Sequence, residues 1–230
     1  MSYPRRPGSP GAPCPRRPSM NDARLVFVDC GHVCITISYR TGHTELRINR
    51  RDLMPPGGAC VVRHVGPASM WGTFEVSAVL PAPTHVPLRW RLAAVPAVAM
   101  TAAVKVFGSR GGRFSRLVRL ACLGRALRPA PTADVRQAIR AVRCTSSLIP
   151  ARWACLEQST AASVLLAMTG HRAEWRHGIA TDPVRLHAWI ADHDGHPVEE
   201  PTDIVHYTAT CTPDGPGPAP TRSSEGKTST

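Results

Sequence analysis

The segment that most limits the possible folds is RWACLEQSTAASVLLAM, residues 152–168, with Pro150 just before it and Thr169-Gly170 just after it. Alanine and leucine dominate it and predict a helix from Cys155 to about Met168, closed by a glycine where a left-handed C-cap is favoured. Upstream, PTADVRQAIRAVR reads as another helix, with Thr132 as its cap, Asp134 in its first turn and Val135, Ile139 and Val142 along one side. It ends near Arg143, and Thr145-Ser146-Ser147 and Pro150 make the loop that delivers the chain to Trp153 and Cys155. Downstream, Ala173 to Ile179 and Arg185 to Ala191 read as strands, and Asp194-Gly195 as a turn leading back through HPVEE. Helix, helix, strand, strand and hairpin specify an α+β core.

This order puts a thiol at the start of a helix, where unpaired N–H groups and the helix dipole favour the thiolate. A nucleophilic cysteine also needs a base, and His187 in LHAWIA supplies one on a strand, with Trp189 on the same face. A carboxylate must then orient the imidazole. If Asp194 and Gly195 form a two-residue turn, His193 faces His196, Ala191 faces Val198 and Trp189 faces Glu200, which places Glu200 one diagonal step from His187. Glu200 is therefore preferred. A three-residue loop would reverse the parity and favour Glu199, and Asp192 and Asp194 lie in or beside the turn. The plainer reading of a cysteine before an apolar helix is core packing, and a strand histidine is usually structural. Cys30, Cys34, Cys60, Cys122, Cys144 and Cys211 have no comparable setting. No histidine pair has zinc spacing with a thiolate, and GSRGGRF lacks the lysine and serine of a phosphate loop, so neither metal nor nucleotide cofactor is expected.

Ahead of this core, the stretch from Pro87 to Arg128 is helical in pattern and holds nine basic residues and no acid. In GRFSRLVRLACLGRALR, Phe114, Leu117, Leu120 and Leu127 fall near helical spacing with arginines opposite. The chain as a whole has 28 basic against 16 acidic residues, a formal charge of +12, so an acidic partner is expected. A non-catalytic basic module binding an acidic peptide or nucleic acid through Arg110 to Arg128 would account for the charge. It would not account for CLEQS, HAW and PVEEP together.

Residues 22–85 differ: ARLVFVD, HVCITISYR and TELRINR are short, β-branched and alternating, with a turn at Thr41-Gly42, and form a β-rich extension of unknown role. Translation from Met70 would remove most of it. Residues 1–21 and 213–230 are rich in proline, glycine and polar residues and are expected to be disordered tails. Eight cysteines without a CxxC pair suggest reduced thiols in the cytoplasm. The longest apolar window, Leu92 to Val104, contains Pro96 and is too short to span a bilayer, so no membrane insertion is expected.

PTADVRQAIRAVR, CLEQSTAASVLLAMTG and EWRHGIATDPVRLHAWIADHDGHPVEEPTDIVHY together resemble the leader peptidases of lasso-peptide biosynthesis, the second of the two split B proteins, within the transglutaminase-like superfamily. The resemblance covers residues 86–212 and implies a transglutaminase-like, papain-like cysteine peptidase. Cys155 would attack the bond between leader and core of a ribosomally made precursor peptide, with His187 as base and then acid and Glu200 orienting it. The implied partners are a small leader-binding protein (PqqD-like) and an asparagine-synthetase-like macrolactam cyclase, to which the ATP belongs; nucleic acid is disfavoured. The hairpin HAWIADHDGHPV is one residue longer than the common HAWVEVDGRPV pattern. Residues 22–80 lack the three-helix pattern of the leader-binding domain fused in unsplit versions, so leader recognition is not assigned to them. Amide transfer in place of hydrolysis would pass through the same thioester.

Overall fold

The computed structural model describes residues 25–30, 33–48, 55–57, 59–63, 86–150, 152–181 and 184–217. Met70, the tail at 1–21 and the tail from 218 onward lie outside the described residues.

The β-branched N-terminal stretch forms β1 (Leu25–Asp29), β2 (Val33–Ser38) and β3 (Thr44–Ile48). Gly42, at φ +76°, closes the β2–β3 turn, and an added Cβ there would meet the Phe114 side chain at 2.8 Å. β4 (Cys60–Arg63) returns parallel to β1, giving the order β3-β2-β1-β4. These strands do not build a core of their own. Val26, Val28, Ile35, Ile37, Tyr39 and Val62 belong to one buried cluster with the helices and the second sheet. A unit of this size is marginal as a core on its own.

The helices follow. α1 (Leu88–Val106) carries Pro96 in its interior and buries Ala94, Ala97, Val98 and Thr101. α2 is shorter than the sequence pattern implied: it runs from Arg113 to Ala121, burying Leu117, Val118, Leu120 and Ala121, and Leu127 falls beyond its end. Its arginines are largely used within the fold. Arg113 donates to the Glu157 carboxylate, Arg116 to the Ser109 carbonyl and Arg119 to the Ser115 carbonyl. β5 (Arg128–Pro129) leads into α3 (Thr132–Ser146). Pro131 is the cap of α3 and Thr132 its first helical residue, with no side-chain cap, because proline already holds the φ that the entry requires.

α4 (Cys155–Met168) is the central helix, touching α1, α2, α3 and the second sheet, and Ser159 to Leu166 are all buried. Gly170, at φ +82°, ends it. β6 (His171–Arg172) pairs with β5, and β7 (Glu174–Ala180), β8 (Arg185–Ala191), β9 (Thr208–Thr212) and β10 (Gly215–Pro216) complete a sheet of order β10-β9-β7-β8. The pairing of β10 with β9 keeps the chain in the fold past residue 213, where a tail was expected to begin. This is the α+β architecture read from the sequence.

The two sheets are joined by a buried polar chain. Tyr39 Oη lies 2.7 Å from both His177 Nδ1 and Thr210 Oγ1, and Thr210 Oγ1 donates to the His177 carbonyl at 3.1 Å. Because the threonine proton is used on that carbonyl, the consistent assignment has Tyr39 donating to Thr210 and His177 Nδ1–H donating to Tyr39. Complete burial drives the His177 imidazole down to about 3, so it stays neutral, as this arrangement needs. Among the described residues no helix is long and apolar enough to cross a membrane.

Candidate active site

Cys155 is the first residue of α4, following Ala154 in extended conformation. The N–H groups of a helix's first turn have no intrahelical acceptor, so the sulfur sits where the backbone is most electropositive. Glu157 shapes this entry: its Oε2 accepts from the Ala154 N–H at 3.1 Å, and its Oε1 lies 3.0 Å from Lys105 Nζ and 2.9 Å from Arg113. One buried carboxylate thus ties α1 and α2 to the start of α4. Burial pushes the Glu157 carboxyl up, but the bonds to Lys105 and Arg113 outweigh that and hold it below its ordinary range. The two cations also neutralise an acid that would otherwise sit two residues from the thiol. Nothing in the local sequence marks this trio, since its members are separated by 8 to 52 positions and meet only through helix packing.

His187 lies on β8, stacked on Trp189 at 5.9 Å between ring centroids and 11° between planes, and Tyr207 packs against both rings, 5.3 Å from His187 and 6.3 Å from Trp189. Its cross-strand partner is Gly178. A Cβ at 178 would stand 2.5 Å from the Thr208 carbonyl oxygen and 2.8 Å from Trp189 Cη2, so glycine is what lets β7, β9 and the Trp189 ring close up behind the histidine.

The structure brings Cys155, His187 and Glu200 together. The Cys155 thiol and the His187 imidazole are hydrogen-bonded, and His187 Nε2 lies 2.8 Å from Glu200 Oε2. A carboxylate can only accept, so Nε2 carries the proton and Nδ1 is left for sulfur. Burial pushes the Cys155 thiol up, but the bond and charge of His187 and the backbone N–H groups of Ala188 and Leu156 prevail and hold it below its ordinary value. Burial acts against the His187 cation as well, yet its bonds to Cys155 and Glu200 raise it to about 9. Both shifts act in the direction of a thiolate–imidazolium pair.

The route by which Glu200 arrives differs from the two-residue hairpin. Asp192 N–H donates to the His196 carbonyl, Ala191 bridges to Pro197, and Val198 N–H donates to the Ile190 carbonyl. The loop therefore holds three residues, His193 to Gly195, and the parity is the reverse of the one expected. The longer loop is stabilised by Asp192, whose Oδ1 accepts from the N–H groups of Asp194 and His196 at 3.0 and 2.9 Å. Continued regular pairing would have offered Glu199 to the site. Instead the pairing, an isolated bridge at Pro197 and the Val198 hydrogen bond, goes no further, and Glu199 adopts φ +57°, the one left-handed non-glycine backbone among the described residues. That single reversal turns Glu199 away and delivers Glu200. Asp192 and Asp194 stay at the hairpin tip.

The three groups line a cleft of about 200 Å³ with Ile139, Arg143, Trp153, Gln158 and Ser159. Trp153 forms part of its wall with Lys105 Nζ over its ring at 5.8 Å, and Ser159 Oγ accepts from Trp175 Nε1 at 3.0 Å, fixing α4 against β7. The seven cysteines among the described residues are all free thiols, and the other six lack this setting. Where shifts are resolved for them, at Cys30, Cys34, Cys122 and Cys211, burial pushes the thiol up.

Comparison with curated proteins and with solved structures returned no match. Residues 97–212, half of the chain and the part that holds Cys155, His187 and Glu200, match the transglutaminase-like superfamily, whose members are typically cysteine peptidases or transferases on a papain-like fold. The chain belongs to the transglutaminase-like superfamily.

Proposed function

We propose that this protein is a cysteine peptidase that removes the leader from a ribosomally made precursor during lasso-peptide maturation, with Cys155 as nucleophile, His187 as base and acid, and Glu200 orienting the imidazole. The observation that carries the reading is the relay from thiol to imidazole to carboxylate at a helix start, opening on a cleft.

The thiolate attacks the scissile carbonyl carbon, and the carbonyl π electrons move to oxygen. The Cys155 N–H, lacking a helical acceptor, donates to that oxyanion. Collapse breaks the C–N bond as His187 Nδ1 gives its proton to the leaving amine, releasing the core with a free N-terminus. A water then loses a proton to His187 and attacks the thioester, and the leader leaves as a carboxylic acid with the thiol restored. The freed amine suits an ATP-dependent macrolactam cyclase, and a small leader-binding protein would present the precursor. The free thiols fit the reducing cytoplasm.

The test is incubation of the full chain with a lasso precursor peptide and a PqqD-like leader-binding protein, followed by mass spectrometry. Expected products are the leader acid and the core amine, lost in Cys155→Ala. Cleavage retained in that variant overturns the nucleophile assignment. Appearance of a leader amide in place of the acid overturns hydrolysis in favour of transfer.

A further inference from the structure

Arg136, Arg140 and Arg143 stand at i, i+4 and i+7 on α3, one face of the helix, and all three engage the pair Glu199-Glu200. Arg136 Nε lies 3.4 Å and Arg140 Nη2 3.0 Å from Glu199 Oε1. Arg143 reaches further in: Nη1 donates to the Glu199 carbonyl at 2.9 Å, and Nη2 lies 3.3 Å from Glu200 Oε1. The Glu200 oxygen that Arg143 leaves is the one 2.8 Å from His187.

We infer that Arg143 is a positioning residue, a splint that locks the left-handed Glu199 backbone and one Glu200 oxygen so that the other is aimed at His187. The planar guanidinium suits this role, since its two Nη groups meet two acceptors on consecutive residues, which a single ammonium cannot do with the same geometry. A left-handed glutamate persists only where its surroundings over-determine it, and here α3 grips its carboxylate and carbonyl together. Arg143 also lines the cleft, with a side chain 14% exposed against 7% for Glu200, so water competes weakly for either partner.

The inference rests on His187 and Glu200 being the working pair of the proposed peptidase, but the test reads the imidazole without any substrate, so it stands or falls separately from leader removal. The charged and titratable groups around His187 are Cys155 from α4, His177 from β7, Glu200, Tyr207, and Arg185 over the Tyr207 ring at 6.0 Å. In Arg143→Met, histidine NMR should show the His187 titration falling from about 9 by roughly one unit or more, a tenfold change in proton affinity, as Glu200 loses its aim. Simple loss of a nearby positive charge would move it the other way. In an E200Q background, adding Arg143→Met should cause no further fall. A titration that stays at about 9 or rises in the folded single variant, or a further fall in the double variant, overturns the inference. Should Arg143→Met fail to fold by circular dichroism, Arg143→Lys, which keeps the charge but cannot span both acceptors, carries the same expectation.

Discussion

Glu200 Oε2 stands 2.8 Å from His187 Nε2, although the two residues are not cross-strand neighbours in the ladder. The contact exists because pairing with β8 ends at Val198 and the chain turns through a left-handed Glu199. This makes Glu200 more informative to alter than a residue on a regular strand, since its placement and its chemistry can be separated.

Glu200→Gln keeps the shape and an acceptor oxygen while removing the charge. If Glu200 orients the imidazole in the proposed peptidase, the variant should lower kcat for precursor cleavage by about 10²-fold, within the usual range for general acid–base catalysis, with KM little changed. Steady-state kinetics on the purified variant checks it; a loss confined to KM would assign Glu200 to substrate binding.

The pH dependence follows from the two shifted groups. In the proposed reaction, the sulfur is protonated and does not attack below the lowered Cys155 value, and above about 9 His187 no longer holds a proton for the leaving amine. Activity should therefore rise through the depressed thiol value and fall near pH 9. In His187→Gln, iodoacetamide alkylation of Cys155, followed by peptide mass mapping, should require a higher pH than in the parent because the lowering bond and charge are gone. An unchanged alkylation profile would break the coupling.

Tyr39→Phe removes a hydroxyl that satisfies two buried partners, His177 Nδ1 and Thr210 Oγ1. Leaving His177 Nδ1 without a partner, and Thr210 Oγ1 with only its bond to the His177 carbonyl, should cost about 1–3 kcal/mol of stability. Urea unfolding should show a lower midpoint at unchanged slope, and an unaltered midpoint would mean that the N-terminal sheet is not held through this chain.

Gly178→Ala drives a methyl against the Thr208 carbonyl and the Trp189 ring. Overpacking of this kind should destabilise by about 1–3 kcal/mol. Since Gly178 faces His187 across the strands, cleavage should fall along with the thermal midpoint. A variant as stable and active as the parent would show that the sheet yields there at little cost.

Local pattern carried far in this chain. The helix from Cys155 to Met168, the strand pair behind it and the β-branched N-terminal strands were all readable, because periodicity, a helix-ending glycine and strand propensity act over a few residues. Glu200 was readable as well, but by an argument whose register the structure reverses. The expected two-residue turn and the observed three-residue turn differ by one residue, and the left-handed Glu199 restores what that difference removed.

By itself, then, the amino-acid order determined the α+β class, the helix-borne thiol and the strand-borne imidazole, since each depends on short-range backbone preference. The tertiary structure alone decided that residues 32 positions apart meet, that Glu157 gathers Lys105 and Arg113, and that Tyr39 reaches across to His177 and Thr210. It also decided which of two adjacent glutamates faces the histidine. Non-local packing sets those choices: a left-handed backbone that glutamate alone does not favour is held by arginines on α3, 56 to 63 positions away in the chain.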